Sequence, residues 1–250
     1  YKYPSIISDL YLTFYDRKNF SNKKNILQVP RLSKKRFSLP SLKKKNKILI
    51  VLNQFLRFRI NVASYPVGKQ NLFIVDSIKK ILNKIPNHIS EQIRIREKHE
   101  NGWKYHERIN ESFEIKKKDH NFWNKTPIKK IVKKIKLCIV TYPDTAVLDF
   151  VDHNVPTILF INKFWPIKKQ YPQIYKKLKK AKILFTNENE LASHLDKIND
   201  NPQKWWLEKR TQKAIKMVNE SLFAGNIDDN INKLSKIIKE NFGFNTIEAL

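Results

Sequence analysis

Short apolar runs alternate with segments of helical period from residue 47 onward, and this alternation limits the possible fold more than any other feature. The run 48–52 has the length and the uninterrupted apolar character of a strand that is buried on both faces. The segment 71–84 then repeats apolar residues at helical spacing and ends before Pro86. Repeated strand–helix units are typical of a parallel sheet covered by helices. The sequence therefore predicts the α/β class, with a Rossmann-like parallel sheet and helices on both faces.

The same patterns predict the remaining elements of the sheet and its helices. Further strands are predicted at 92–96, 114–116, 137–141, 157–161 and 182–185. Further helices are predicted at 127–136, 145–153, 171–180, 188–199, 202–224 and 228–241. Because ligands of open parallel sheets bind beyond the carboxyl ends of the strands, candidate binding residues should directly follow strands.

The pattern of apolar and polar residues changes near residue 47. Residues 1–46 carry basic clusters and scattered aromatic residues without a sustained period, whereas residues 47–250 follow the strand–helix pattern. We therefore expect the end of a preceding domain and a linker over 1–46, and one α/β domain with C-terminal helices over 47–250. Since the chain opens at Tyr1 and its only methionine is Met217, we also expect that the natural start lies upstream.

The formal net charge of +27 would ordinarily indicate a nucleic-acid or anionic-membrane partner. The basic residues, however, are 41 lysines and only 9 arginines, and the chain has only 4 glycines. This profile favours the composition of an AT-rich genome over a selected nucleic-acid surface, which would use arginine for bidentate contacts. We expect no specific nucleic-acid partner. A basic, non-catalytic protein that binds nucleic acid or an anionic surface remains the alternative from a different functional class.

Several classes of protein lack their usual sequence signals in this chain. The chain has no run of eighteen apolar residues that would indicate a membrane span. Its single cysteine, Cys138, excludes an internal disulfide and a multi-cysteine zinc site. None of the six histidines has the spacing of a metal site on one helix face, so no metal is predicted. The glycine-rich dinucleotide motif, the P-loop and the Gly-x-Ser-x-Gly elbow are missing, and we expect no cofactor. The single cysteine fits a reducing cytoplasm.

The segment 137–160 carries the strongest functional signal. A predicted strand ends at Thr141, a turn with Tyr142 follows, and a helix starts near Asp144 or Thr145. The free N–H groups and the dipole of that helix start suit a diphosphate. Asp149 lies about one turn inside the helix, where its carboxylate would accept hydrogen bonds from ribose hydroxyls. The alternative is that Asp144 and Thr145 only cap the helix and Asp149 only complements its dipole.

Four of the nine arginines lie in or after the first two predicted strands of the α/β domain. Arg57 and Arg59 follow the first strand, and Arg94 and Arg96 lie in the second. Arginine binds diphosphates bidentately and offsets the charge that develops on a nucleotide leaving group. These four residues are therefore candidate donor-binding residues, unless they face solvent or pair with neighbouring glutamates.

The order of these segments resembles the donor site of glycosyltransferases that have two Rossmann domains. It resembles more closely a family of transferases encoded in bacterial O-antigen and surface-carbohydrate loci. The shared features are Arg94-Ile95-Arg96, Gly102-Trp103 with Arg108, the segment 141–156 with Asn154-Val155-Pro156, and Trp205-Trp206. The resemblance covers residues from about 47 to 225.

The resemblance implies a glycosyltransferase whose nucleotide-sugar donor binds to residues 47–250, while residues 1–46 end the acceptor domain. The implied reaction moves a sugar from a nucleotide-activated donor to a surface polysaccharide or a lipid-linked glycan, without metal or cofactor. A catalytic base would lie in the acceptor domain, so we expect the fragment alone to be inactive. The segment 140–150 also resembles teichoic-acid transferases that use CDP-activated polyols, and the donor class stays open. The positive charge allows peripheral contact with the anionic inner membrane.

Overall fold

The structure is a computed structural model, and it describes the chain in segments. These are residues 11–13, 26–28, 46–53, 69–97, 105–112, 120–143, 145–162 and 172–222, with five helical residues between 232 and 240. The chain divides into two compact units. One unit comprises residues 36–214, and the other combines residues 1–35 with residues 215–250.

The unit that contains the chain's first residues holds a small parallel pair of strands. β1 (Tyr11–Thr13) and β2 (Ile26–Gln28) are three residues long each, and Leu12 lies opposite Leu27. These strands lie in residues 1–46, where the sequence showed no sustained period. They were not predicted, because three residues are too few to establish an alternation.

The unit of residues 36–214 holds the main sheet. Its strands are β3 (Lys47–Leu52), β4 (Ile93–Glu97), β5 (Ile135–Val140), β6 (Thr157–Phe160) and β7 (Leu184–Phe185). Its helices are α1 (Lys69–Leu82), α2 (Asn87–Ser90), α3 (Tyr105–Ser112), α4 (His120–Lys125), α5 (Ile128–Ile131), α6 (Thr145–Asp152), α7 (Pro172–Lys180), α8 (Glu188–Ile198), α9 (Pro202–Trp206) and the start of α10 (Lys209–Leu222).

The α/β class predicted from the sequence is confirmed. All pairings in the five-stranded sheet are parallel, and the strand order is β4-β3-β5-β6-β7. From β3 the chain moves outward to β4 and then returns past β3 to β5, so the order reverses between β3 and β5. Because parallel crossovers are right-handed, the two directions of travel place helices on opposite faces of the sheet. The carboxyl ends of β3 and β5 therefore form the topological switch point.

Two predicted helices differ from the observed elements. The predicted helix 127–136 ends at Ile131, and β5 starts at Ile135, because Ile135 and Leu137 are completely buried on one face of the central strand. The predicted helix 202–224 is divided into α9 and α10 around Leu207. The short helices α3 and α4 had no counterpart in the sequence analysis, and the predicted strand 114–116 lies outside the described residues.

The central strands form the core of this unit. Ile48, Leu49 and Ile50 of β3 are completely buried, as are Leu137 and Cys138 of β5. Burial of both faces explains why these strands appear in the sequence as continuous apolar runs without alternation. Each fully buried large aliphatic side chain stabilises the fold by about 1.5–3 kcal/mol. Within the described segments, no helix combines the length and apolar character that crossing a bilayer requires.

The Asn154-Val155-Pro156 sequence ends helix α6. The N–H of Val155 donates to the carbonyl of Phe150 at 3.0 Å, and the N–H of Asn154 donates to the carbonyl of Val151 at 2.9 Å. These bonds form a Schellman motif, in which the residue after the helix adopts the left-handed conformation. Asn154 has a φ of 52° and fills that position. Asparagine tolerates this conformation better than other non-glycine residues.

The side chain of Asn154 also anchors the C-terminal tryptophan pair. The Trp206 Nε1–H donates to Asn154 Oδ1 at 2.8 Å, and the Trp205 Nε1–H donates to the carbonyl of Ala181 at 3.1 Å. Both indoles are nearly fully buried. The Asn-x-Pro motif and the tryptophan pair appear separately in the sequence. In the structure they contact each other, and this contact joins α9 to the end of α6.

We predict that Asn154→Ala and Asn154→Gly have different effects on stability. Both variants lose the hydrogen bond to Trp206, which contributes about 1 kcal/mol. Only alanine adds the left-handed backbone penalty of about 1–2 kcal/mol. Chemical denaturation should therefore show Asn154→Ala to be the less stable variant. Equal stability of the two variants would contradict the assigned backbone role.

Candidate functional site

Hydrogen bonds from Thr141 join the carboxyl ends of β3 and β5 at the switch point. Thr141, the first residue after β5, donates two hydrogen bonds to the carbonyl of Val51, from its backbone N–H at 3.1 Å and from Oγ1 at 3.0 Å. Thr141 is 1% exposed, and Asn53, which follows β3, is equally buried. The Thr141 hydroxyl therefore stabilises the switch point, and contact of this side chain with a ligand stays a prediction. Asn53 was not identified from the sequence.

The turn after Thr141 leads directly into α6. Tyr142 is half-buried, Pro143 is exposed, and the helix starts at Thr145, as the sequence predicted. Asp149 lies one turn inside α6 and is half-buried, and its backbone carbonyl contacts the Nδ1 of His153 at 2.7 Å. The helix start therefore lies at the carboxyl edge of the sheet, because it follows the turn after β5. Asp144 and the Thr145 side chain lie outside the described residues.

Arg96 contacts the same edge from the neighbouring strand. Its Nη1 donates to the carbonyls of Trp123 at 2.5 Å and Thr126 at 2.8 Å, which fixes the guanidinium against the end of α4. Burial lowers the pKa of Arg96 from its ordinary value, and electrostatic interactions with Tyr142 and Cys138 act in the opposite direction. Tyr142, which interacts electrostatically with Arg96, belongs to the turn that precedes α6. An ordered arginine in this position suits recognition of a planar or diphosphate anion.

Arg94 differs from the expectation that both strand arginines face the ligand edge. Its Nη1 donates to the carbonyl of Glu91 at 3.0 Å and to that of Ile93 at 2.7 Å. Both acceptors lie at or before the start of β4, so the guanidinium turns toward the amino end of the strand. Arg94 is only 4% exposed. The placement of Arg94 at the ligand edge is therefore wrong, because its side chain binds the backbone at the opposite edge. Arg57 and Arg59 lie outside the described residues.

A buried polar network at the carboxyl edge was not recognised from the sequence. Asn162, two residues after β6, donates from Nδ2 to Ser77 Oγ at 2.6 Å and to the carbonyl of Phe73 at 3.2 Å. Ser77 Oγ donates in turn to Glu188 Oε1 at 2.6 Å. The network joins α1, the end of β6 and the first residue of α8. A serine inside an amphipathic helix gives no sequence signal for such a contact, because its partners are 85 and 111 residues away.

Cys138 and the histidines do not form a reactive cluster in the described segments. Cys138 is a free, completely buried thiol whose pKa is raised well above its ordinary value, chiefly by burial. A thiol in this state behaves as a small apolar side chain. Among the described residues, no group of three or more histidine, cysteine, aspartate or glutamate side chains is placed to hold a metal ion.

The fold is a Rossmann-like α/β fold, and helix α6 starts shortly after β5 at its switch-point edge. The chain belongs to the LIC12162 family of transferases, whose match extends over residues 1–238. No significant match was found among curated proteins.

Several solved structures share a distant likeness with the chain. One is an α,α-trehalose-phosphate synthase (UDP-forming) from Burkholderia vietnamiensis, with 10% identity and a TM-score of 0.42 over 78% of this chain and 45% of that one. Another is the wall teichoic acid polymerase TagF, with 11% identity and a TM-score of 0.42 over 95% of this chain and 59% of that one. The chain thus spans 45% and 59% of the lengths of these two structures.

We predict that Ser77→Ala lowers the free energy of unfolding by about 1–3 kcal/mol, because it leaves Asn162 Nδ2 and the Glu188 carboxylate with one partner fewer. Ser90→Ala is the matched control, since the Ser90 hydroxyl donates only to Asn87 in its own helix. Denaturant unfolding of both variants checks the prediction, and a loss at Ser77 no larger than that at Ser90 would contradict it.

His194 generates a prediction about pH. Its ring lies 5.2 Å from that of Phe185 and 5.1 Å from that of Trp205, and its Nε2 is buried without a hydrogen-bond partner among the described residues. Burial, together with Lys182 and Lys197, lowers its pKa from 6.5 to about 4. The His194 imidazole of the unfolded state is therefore protonated below pH 6.5, whereas that of the folded state is protonated only below about pH 4.

Stability should consequently be complete above pH 6.5 and fall as the pH drops toward 4. For His194 the loss between pH 7 and pH 5 is about 2 kcal/mol. The variant His194→Phe keeps a ring in the stack and should lose this part of the pH dependence, whereas the exposed-site control His88→Gln should retain it. Unfolding curves at both pH values measure the effect, and parallel behaviour of wild type and His194→Phe would refute it.

Proposed function

We propose that this transferase is of the glycosyltransferase type and moves a sugar from a nucleotide-activated donor to a surface polysaccharide or a lipid-linked glycan. The donor would bind at the carboxyl edge between β3 and β5. The observation that carries the proposal is the arrangement at this edge. Thr141 joins the ends of β3 and β5, helix α6 starts beside them, and Asp149 lies one turn inside that helix.

Each part of the edge has a chemical role in this proposal. The free N–H groups at the start of α6, with Asp144 and Thr145, would bind the diphosphate. Asp149 would accept hydrogen bonds from the ribose hydroxyls. Arg96, held by two carbonyls and interacting electrostatically with Tyr142, would offset the negative charge that develops on the departing nucleotide. This charge stabilisation comes from groups that are already ordered.

Two further arginines belong to the proposal on sequence grounds. Arg57 and Arg59 follow β3, whose carboxyl end forms one side of the switch point. They would supply additional cations for the diphosphate. Arg94 is not included, because its guanidinium binds carbonyls at the amino end of β4.

The acceptor and the location of the enzyme are proposed from the family resemblance. The acceptor would be a growing surface glycan, either free or linked to lipid, and the reaction would take place in the cytoplasm at the inner membrane. The formal net charge of +27 supports peripheral contact with anionic lipids, to which each well-placed basic residue contributes about 1 kcal/mol. The proposed reaction needs no cofactor, because the activated donor itself supplies the leaving group.

A thermal-shift panel of UDP, GDP, CDP, CMP and dTDP derivatives, at about 0.15 M salt, tests the donor site. A ligand that binds only the folded state stabilises it by about 2.7 kcal/mol at one hundred times its dissociation constant. We predict a melting-temperature increase with one nucleotide family, and the loss of this increase in Asp149→Asn. The control Asp196→Asn changes an exposed carboxylate on α8 and should bind like wild type.

Selectivity for CDP-polyols over nucleotide sugars would identify a transferase of the teichoic-acid type with the same donor site. Stabilisation by every polyanion, lost steeply with added salt and unchanged in Asp149→Asn, would overturn the proposal. That result would identify the chain as a protein that binds anionic surfaces through its general charge.

A further inference from the structure

A second concave site lies at the outer edge of the sheet, on the opposite side of β6 from the switch point. It is an open cavity of about 350 Å³ beside β7, the last strand in the sheet order. Its lining includes Lys179, Lys180, Lys182, Phe185, Thr186 and Glu190. We refer to these six residues as the lysine pocket. The volume falls at the lower end of the range for small-molecule sites, which is about 300–1,000 Å³.

We propose that the lysine pocket binds the phosphate group of an anionic ligand, independently of the donor site. The inference does not rest on the proposed glycosyltransferase activity. It rests on three lysines that line one cavity, on the backbone turn that places Lys182 beside it, and on the buried aromatic side chain in its lining.

The C-terminal end of α7 brings the lysines together. The N–H of Ile183 donates to the carbonyl of Leu178 and the N–H of Lys182 donates to that of Lys179, each at 3.0 Å. This is a Schellman motif whose left-handed position is occupied by Lys182, with a φ of 57°. Glycine is the residue that this position favours, because a side chain costs free energy there. The turn reverses the chain so that Lys182 lies beside Lys179 and Lys180 at the cavity.

Phe185 forms the apolar floor of the lysine pocket, and its ring is contacted by Lys182 and by His194. The Lys182 ammonium lies 5.7 Å from the centroid of the Phe185 ring, which is the distance of a weak cation–π contact. The Phe185 ring also packs against His194, whose centroid is 5.2 Å away. Phe185 is 2% exposed, so the floor is part of the core and does not need to be formed when a ligand binds.

The charges in the pocket are unbalanced. Three lysines and one glutamate line it, and within the described part of the chain none of the three lysines forms a salt bridge with a carboxylate. Lysine binds phosphate as a compact point charge, and the Thr186 hydroxyl adds a hydrogen-bond donor. Three lysines and one glutamate leave the lining with an excess of positive charge. These features suit a phosphate or pyrophosphate group.

General surface charge makes a different prediction, and the chain supplies a matched control. Lys129, Lys130 and Lys133 are also close together and exposed, but they do not line this cavity. Replacing them by glutamine removes the same number of charges as replacing Lys179, Lys180 and Lys182. Only a site-specific interaction distinguishes the two triple variants.

Isothermal titration calorimetry of the full chain with inorganic pyrophosphate, at about 0.15 M salt, provides the test. We expect the triple glutamine variant of Lys179, Lys180 and Lys182 to bind at least about tenfold more weakly than wild type, a difference of about 1.4 kcal/mol. The variant of Lys129, Lys130 and Lys133 should change affinity less than about twofold. Pyrophosphate should also protect the three pocket lysines selectively from acetylation, as measured by mass spectrometry.

A single substitution separates binding from folding. Lys182→Gly relieves the left-handed backbone penalty and should raise the melting temperature, while it weakens pyrophosphate binding. A variant that is more stable and binds less tightly cannot owe its defect to misfolding. Equal losses of affinity in both triple variants, or unchanged binding in Lys182→Gly together with uniform acetylation, would overturn the proposal.

The source of the phosphate is identified by two further titrations. Vesicles of phosphatidylglycerol in phosphatidylcholine present a lipid phosphate, and soluble glycerol phosphate presents the same chemistry without a membrane. Pocket-dependent binding of either one supports the proposal and identifies its source. Failure of pyrophosphate and of both these ligands to distinguish the pocket variant from its matched control contradicts the proposal.

Discussion

The parallel pairing of β3 with β5 is the constraint on which the rest of the larger unit depends. Their apolar side chains are buried on both faces, and the pairing places the reversal of strand order between them. Thr141 closes the carboxyl end of this pair with two hydrogen bonds to one carbonyl of β3. Because α6 starts shortly after this closure, the position of its N-terminal end follows from the core. The candidate site is therefore held by rigid elements, which is what precise recognition requires.

The segment that carries the family resemblance performs two different tasks at opposite edges of the sheet. Its first half, from Thr141 to Asp149, lies at the carboxyl edge, where ligands of such sheets bind. Its second half, with Asn154, ends α6 and receives the indole of Trp206 near the amino end of β6. A resemblance that extends over both halves thus reports on stability as well as on function. The acidic residue of the first half is accordingly the sharper test of donor binding.

Positive charge in this protein has to be interpreted by location, since lysine is abundant everywhere. Arg96 gains its significance from two carbonyl contacts and from its electrostatic interaction with Tyr142. The lysine pocket gains its significance from a cavity and from a left-handed backbone position occupied by Lys182. In both places the geometry, and not the number of charges, carries the argument. The two places lie at different strands, so that the residues of one can be altered while the other is left unchanged.

The sequence by itself determined the α/β class, the approximate position of the main strands, and the helix start that precedes Asp149. These features depend on local periodicity and on residues that are close in the chain. Only the tertiary structure decided that Arg96 and not Arg94 lies near the candidate site, and that Ser77, Asn162 and Glu188 form one network. Two arginines on the same face of a strand give the same sequence pattern whichever way their side chains extend. The network joins residues that are far apart in the chain, and only the packing of α1 and α8 at the sheet edge brings them within hydrogen-bonding distance.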